Sequence, residues 1–195
     1  MTFVQRMCFV PLMVLTVTHF MRAQETTATP PRSSTVPEGE GKQRSEDETR
    51  KRLEQLACGP SGVHFSHHSE KGPQTLPEQP PDKGLIYVLR TKGLEGATVQ
   101  VKLAMDGKWV GVNRMANYFY VEVDPGPHYF CVKAGPFERL DEPGLLSLVI
   151  EKGKTYYLRQ NLTMGGTDLD LLDEEKGKQY VAKYSRSSFE EKHKK

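Results

Sequence analysis

Between Ala97 and Val132 the chain alternates apolar residues with polar ones and breaks off at turn dipeptides. Ala97, Val99, Val101, Leu103 and Met105 enclose Thr98, Gln100 and Lys102. Successive side chains of an extended chain point to opposite faces, so a period of two predicts a strand with one buried side. Asp106-Gly107 follows and supplies two residues that tolerate positive φ, a strong hairpin signal. Lys108–Val112 returns. Phe119, Val121 and Val123 alternate again, Asp124-Pro125-Gly126-Pro127 turns the chain, and Tyr129–Val132 runs on. The stretch predicts successive antiparallel strands, with Phe119, Val121, Val123, Phe130 and Val132 inward.

The flanks extend this pattern. Val63–Ser66 suits a first edge strand, and the nearly all-apolar Leu85–Arg90 suits a central strand covered on both faces. Gly72–Lys83, rich in proline, suits a tether along the surface. Leu145–Ile150 and Thr155–Leu162 form a hairpin around Lys152-Gly153, and Leu169 and Leu171 close the sheet. Asp173 caps a final helix that carries Tyr180, Val181 and Tyr184 at helical spacing. The expected fold is mainly β, an antiparallel β-sandwich of about seven or eight strands with a short N-terminal helix and a C-terminal helix on one edge.

The N-terminal part is organised differently. Met1–Ala23 has a weakly basic start at Arg6 and a short apolar run, Phe9–Val17, below the span of roughly 20 residues that a membrane helix needs. It predicts a signal peptide cut before Gln24. Met21 lies three residues before the cut, where a small residue is preferred, so the alternative is an uncleaved anchor. Residues 24–44 have little to bury and predict a disordered linker. Ser45-Glu46-Asp47-Glu48 is a capping-box pattern that opens a short helix over 45–60, stopped by Gly59-Pro60. The sandwich then spans 61–185 and a polar, basic tail 186–195.

A net charge of +2 is too small for a nucleic-acid surface. Three cysteines are too few for a disulfide scaffold. With the signal removed, Cys58 and Cys131 remain, and export makes a bridge between them the expectation. Cys131 would point outward between the inward Phe130 and Val132, so the bridge would pin the short helix over Tyr129.

Several clusters hold residue types suited to chemistry. On a strand His64 and His68 share a face and His67 points away, which leaves at most two to meet on a metal. His128 has no Gly-x-Ser-x-Gly partner. Glu151, Asp168, Asp170, Asp173, Glu174 and Glu175 suit a solvated turn and helix start. Gly165-Gly166 lacks the Lys-Ser/Thr of a phosphate loop. No catalytic, cofactor or metal residues are expected. Trp109, Tyr118, Tyr120, Tyr129, Tyr156 and Tyr157 are more suggestive. Outward Tyr118, Tyr120 and Tyr129 form a candidate binding face for a sugar or peptide, or else are covered by the terminal segments, which the bridge favours.

Ala57-Cys58-Gly59-Pro60, Gly84–Val88, Asp106–Gly111, Tyr118-Phe119-Tyr120 and Asp124–Cys131 follow, in that order and spacing, one pattern. It resembles the bacterial secreted family called domain of unknown function 2846, in a form common in soil bacteria such as acidobacteria, over roughly Leu56–Tyr184. The DGKxVG and PGxH elements are also similar to PEGA-type surface repeats. The resemblance implies a small envelope β-sandwich and supplies no catalytic residues. The expectation is a secreted or periplasmic, non-enzymatic domain with an interaction or structural role. Its partner would be an envelope protein or glycan, and it would touch a membrane only if the signal is uncleaved. The alternative is a small envelope hydrolase or metal-dependent enzyme.

Overall fold

A computed structural model describes residues 38–72, 74–93, 98–135 and 142–192, with side chains from Arg44 onward. The expected signal, Met1–Ala23, and the linker up to Pro37 lie outside the described residues. Among the described residues ten strands form two sheets. They are β1 (His64–Glu70), β2 (Gly84–Arg90), β3 (Val101–Met105), β4 (Lys108–Asn113), β5 (Asn117–Val123), β6 (Gly126–Ala134), β7 (Gly144–Ile150), β8 (Thr155–Leu162), β9 (Thr167–Leu172) and β10 (Ser185–Lys192). The helices are α1 (Glu38–Ala57) and α2 (Glu174–Lys183).

One sheet runs β1-β10-β5-β2-β8-β9, the other β4-β3-β6-β7. Most pairs are antiparallel, but β2 pairs β8 in parallel, and β10 pairs β5 in parallel over two residues. The alternation places side chains as expected. Val101, Leu103, Phe119, Val123, Phe130 and Val132 meet Ile86, Val88, Ile150, Leu158 and Leu169 between the sheets. The turn residues Asp106 and Gly107 have φ of 49° and 79°.

Two boundaries differ from the sequence expectation. The helix expected at 45–60 begins earlier, at Glu38, so residues 38–44 are helical and not linker. Their low hydrophobicity suggested disorder, but Glu38, Glu40, Lys42, Gln43 and Arg44 are good helix formers whether or not they are buried, and they carry the turn despite Gly39 and Gly41. Ser45 is therefore no cap, and its carbonyl accepts from Thr49 Oγ1 at 2.8 Å. The expected polar tail from Arg186 is instead strand β10, paired along β1 from Glu70↔Arg186 to His64↔Lys192. A strand joined mainly through its backbone needs only alternate residues buried. Here Ser187 is buried, and the Phe189 ring packs edge-on against Phe65 and Phe119, with centroids 5.9 and 5.3 Å apart. Arg186 pairs outside with Glu70.

The two helices cover the two outer faces. α2 lies across β2 and β8 rather than on an edge. Its N-cap Asp173 accepts from the Lys176 amide at 2.9 Å. α1 lies over β6 and β7. Among the described residues no helix is long and apolar enough to cross a membrane.

Candidate functional site

The three tyrosines expected on one face do not share it. Tyr118 and Tyr120 are on β5 and face outward from the six-stranded sheet, whereas Tyr129 is on β6 and faces outward from the other. The chain crosses from one sheet to the other in the turn between β5 and β6, at Asp124-Pro125. No platform of all three exists.

Each group is covered by its own helix. Under α1, Ala57, Ala104 and Cys131 pack with Cys58, Trp109, Tyr129 and Leu145. Here the disulfide joins Cys58 to Cys131, with Cα atoms 4.9 Å apart. Around it the Gly107 amide donates to Ala57 O at 3.2 Å and Trp109 Nε1 to Pro60 O at 2.7 Å. Gly59 allows that approach, because a Cβ there would lie 2.6 Å from the indole. The bridge thus pins the helix beside Tyr129, as expected.

On the opposite face Leu85, Tyr87, Leu89, Tyr118, Tyr157 and Val181 form a second cluster, with Tyr120, Tyr180 and Tyr184 against it. Tyr87 and Tyr157 stack with centroids 5.4 Å apart and planes within 10°. Burial pushes the Tyr87 hydroxyl up to about 12, reinforced by Tyr157, Tyr118 and Tyr120. Tyr87 carries no signal of its own in a strand that is apolar up to Arg90. Its signal was the parity it shares with Leu85 and Leu89. Beside the stack lies a cleft of about 320 Å³ between α2 and the 76–79 segment, lined by Leu76, Pro77, Tyr87, Tyr157, Lys178 and Ala182 among others. The segment is fastened by Thr155 Oγ1, which donates to Gln79 Oε1 at 2.5 Å.

Gly177 sets how closely α2 approaches. A Cβ there would lie 2.1 to 2.6 Å from atoms of Tyr157. In an exposed helix Gly→Ala stabilises by about 1 kcal/mol, but forced overpacking costs about 1–3 kcal/mol. Gly177→Ala is therefore expected to lower stability in urea unfolding and to weaken the near-ultraviolet tyrosine dichroism. A gain in stability would mean that α2 does not rest on Tyr157.

A third arrangement went unseen in the sequence. Asn113 is fully buried and donates to Val88 O at 3.0 Å and Gln160 Oε1 at 3.1 Å. Ser187 Oγ donates to Asn113 Oδ1 at 2.6 Å and lies 3.0 Å from His67 Nε2. His67 is lowered to about 4, by burial first and then by Arg114 and His68. This brings a serine and a histidine together, as the alternative enzyme reading needs. However, Ser187 is only 6% exposed and its proton is committed to Asn113, while the charges beside His67 are cationic rather than an orienting acid. His64 and His68 are exposed on the other face of β1.

His128 is engaged at both ring nitrogens. Nδ1 lies 2.6 Å from Asp106 Oδ2 and Nε2 lies 2.8 Å from Asp124 O. Asp106 Oδ1 also accepts the Tyr129 amide at 2.9 Å. The group ties the β3–β4 turn to the β5–β6 turn. Of the carboxylates considered, Asp170 is held below the usual range by Arg159, which donates to it alongside Asn161.

The fold and site together describe a two-sheet β-sandwich with one helix on each outer face, one of them fastened by a disulfide. A family model described as "Protein of unknown function (DUF2846)" matches residues 80–170. That range runs from just before β2 into β9 and omits both helices and the β1–β10 pair. The chain is also similar to an uncharacterized protein of Haemophilus influenzae, 28% identical over 109 residues. The match covers 53% of this chain and 61% of that relative's length. No solved structure matches the chain.

Proposed function

We propose that the chain is an exported, non-enzymatic β-sandwich that binds a partner protein of the bacterial envelope through the cleft beside α2. One observation carries the reading. The cleft is walled by Leu76, Pro77, Tyr87 and Tyr157, opens at the edge of α2, and has Leu76 48% exposed near its rim. An apolar pocket with a polar edge suits a buried anchor side chain of a partner. A glycan is less well suited. Sugars stack on open ring faces, and Tyr87 and Tyr157 are 4% and 5% exposed, turned against each other and α2.

The compartment rests on the Cys58–Cys131 bridge, since disulfides persist where thiols are not kept reduced. The apolar run Phe9–Val17 supports the same reading.

A photo-crosslinking residue at Ala182 in the full chain, produced in its native cells, tests this. The expected result is a discrete protein adduct in the extracytoplasmic fraction. It should be lost with Leu76→Asp and absent when the crosslinker replaces Val149 on the other sheet. Equal adducts from both positions, adducts only in the cytosol, or none at all would overturn the reading.

A further inference from the structure

We propose that a second cleft, where the chain entering β1 passes the start of β3, binds a small organic anion, a carboxylate carrying an apolar body. The cleft measures about 370 Å³ and lies at the end of the sandwich away from the tyrosine stack. Phe65, Val99 and Ala134 give it an apolar wall, and Lys102, Arg114 and His64 give it cationic or titratable groups. Among the described residues no carboxylate lines it. A cleft lined by one sign of charge with low-dielectric walls concentrates the opposite ion.

The cations are available in the way a ligand needs. Lys102 is held in place, with Nζ 3.0 Å from Val63 O and 4.3 Å from the centre of the Trp109 ring. An ammonium has three donors, and the Val63 carbonyl takes one. Arg114 is exposed and has no hydrogen-bond or ion-pair partner among the described residues. Lys133, the neighbouring cation, is already paired with Glu54 at 2.9 Å. Burial and the charge of Lys133 lower the Lys102 pKa, a penalty on its charged form that a bound carboxylate would offset. The charge thus selects the anion, and the apolar wall selects one with a hydrocarbon part.

The test uses Trp109, the only tryptophan in the chain and in contact with Lys102. Its fluorescence is followed while the full chain is titrated with hexanoate, hexanol, hexylammonium or inorganic phosphate. Hexanoate is expected to saturate the signal, with each of the other three at least about tenfold weaker. Arg114→Gln, a surface change, and Lys102→Met should each weaken hexanoate by about tenfold or more. If Lys102→Met does not fold by circular dichroism, Arg114→Gln decides. The proposal is overturned if hexanoate does not saturate, if hexanol matches it, or if Arg114→Gln binds hexanoate as the unchanged chain does. Phosphate binding as tightly as hexanoate would also overturn it, since the site would then select charge alone.

Discussion

With Cys58 and Cys131 both changed to Ala, the chain is expected to unfold in urea with about 4 kcal/mol less stability than the oxidised protein. The bridge spans a sequence separation of 73 residues, and closing so long a loop restricts the unfolded chain strongly. The figure is the chain-entropy value, reached when native geometry is undisturbed. Little else would hold α1 afterwards. Its remaining ties among the described residues include Arg50, which pairs with Glu142 and donates to Pro143 O, the Lys133–Glu54 pair, the Gly107–Ala57 hydrogen bond and the packing of Ala57 against Ala104 and its neighbours. Part-exposed pairs of this kind contribute about 0–1 kcal/mol each. The helix should then detach, and trypsin should cut at the exposed Lys51 and Arg52 well before it cuts the sandwich. A loss below about 1 kcal/mol, or an unchanged cleavage pattern, would show that packing rather than the bridge holds the helix.

Asn113→Ala is expected to cost about 3 kcal/mol or more, because it strands several buried polar groups at once. Val88 O and Gln160 Oε1 lose their donor, and the Ser187 hydroxyl loses its acceptor. Gln160 and Ser187 are themselves 1% and 6% exposed, so little water reaches them. The hydrogen bond can be separated from side-chain size by a double-mutant cycle with Ser187→Ala. Residues in one network couple by about 0.5–3 kcal/mol. Urea unfolding of the four proteins gives that term directly. Strict additivity would mean that β10 is not tied to β4 through this contact.

The two predictions mark where the sequence was legible and where it was not. The cysteine pair was legible because the expected loss of the signal would leave only two thiols, and because alternation turns Cys131 outward between Phe130 and Val132. The core strands were legible for the same reason, since a period of two assigns each side chain a face. Alternation does not say which sheet a strand joins. This is why Tyr118 and Tyr120 were grouped with Tyr129 although they lie on opposite outer faces. β10 was hidden because it is a polar sequence held mainly by backbone pairing with β1 and β5, with Ser187 and Phe189 turned toward the interior. Asn113 looks like a turn residue at a strand end, and only the packing of β2, β8 and β10 around it makes it interior. The cleft beside α2 needs the helix laid across β2 and β8, and no local pattern encodes that placement beyond the small Gly177.

The most direct measurement is a thiol map of the natural protein. Intact cells are treated with a membrane-permeant alkylating reagent, the protein is unfolded without reduction, and its peptides are identified by mass spectrometry. The account predicts that the peptides holding Cys58 and Cys131 are recovered linked and unlabelled, with none from Thr2 to Arg22. Recovery of both cysteines as alkylated thiols, on a chain that retains its first residues in the cytosol, would contradict it.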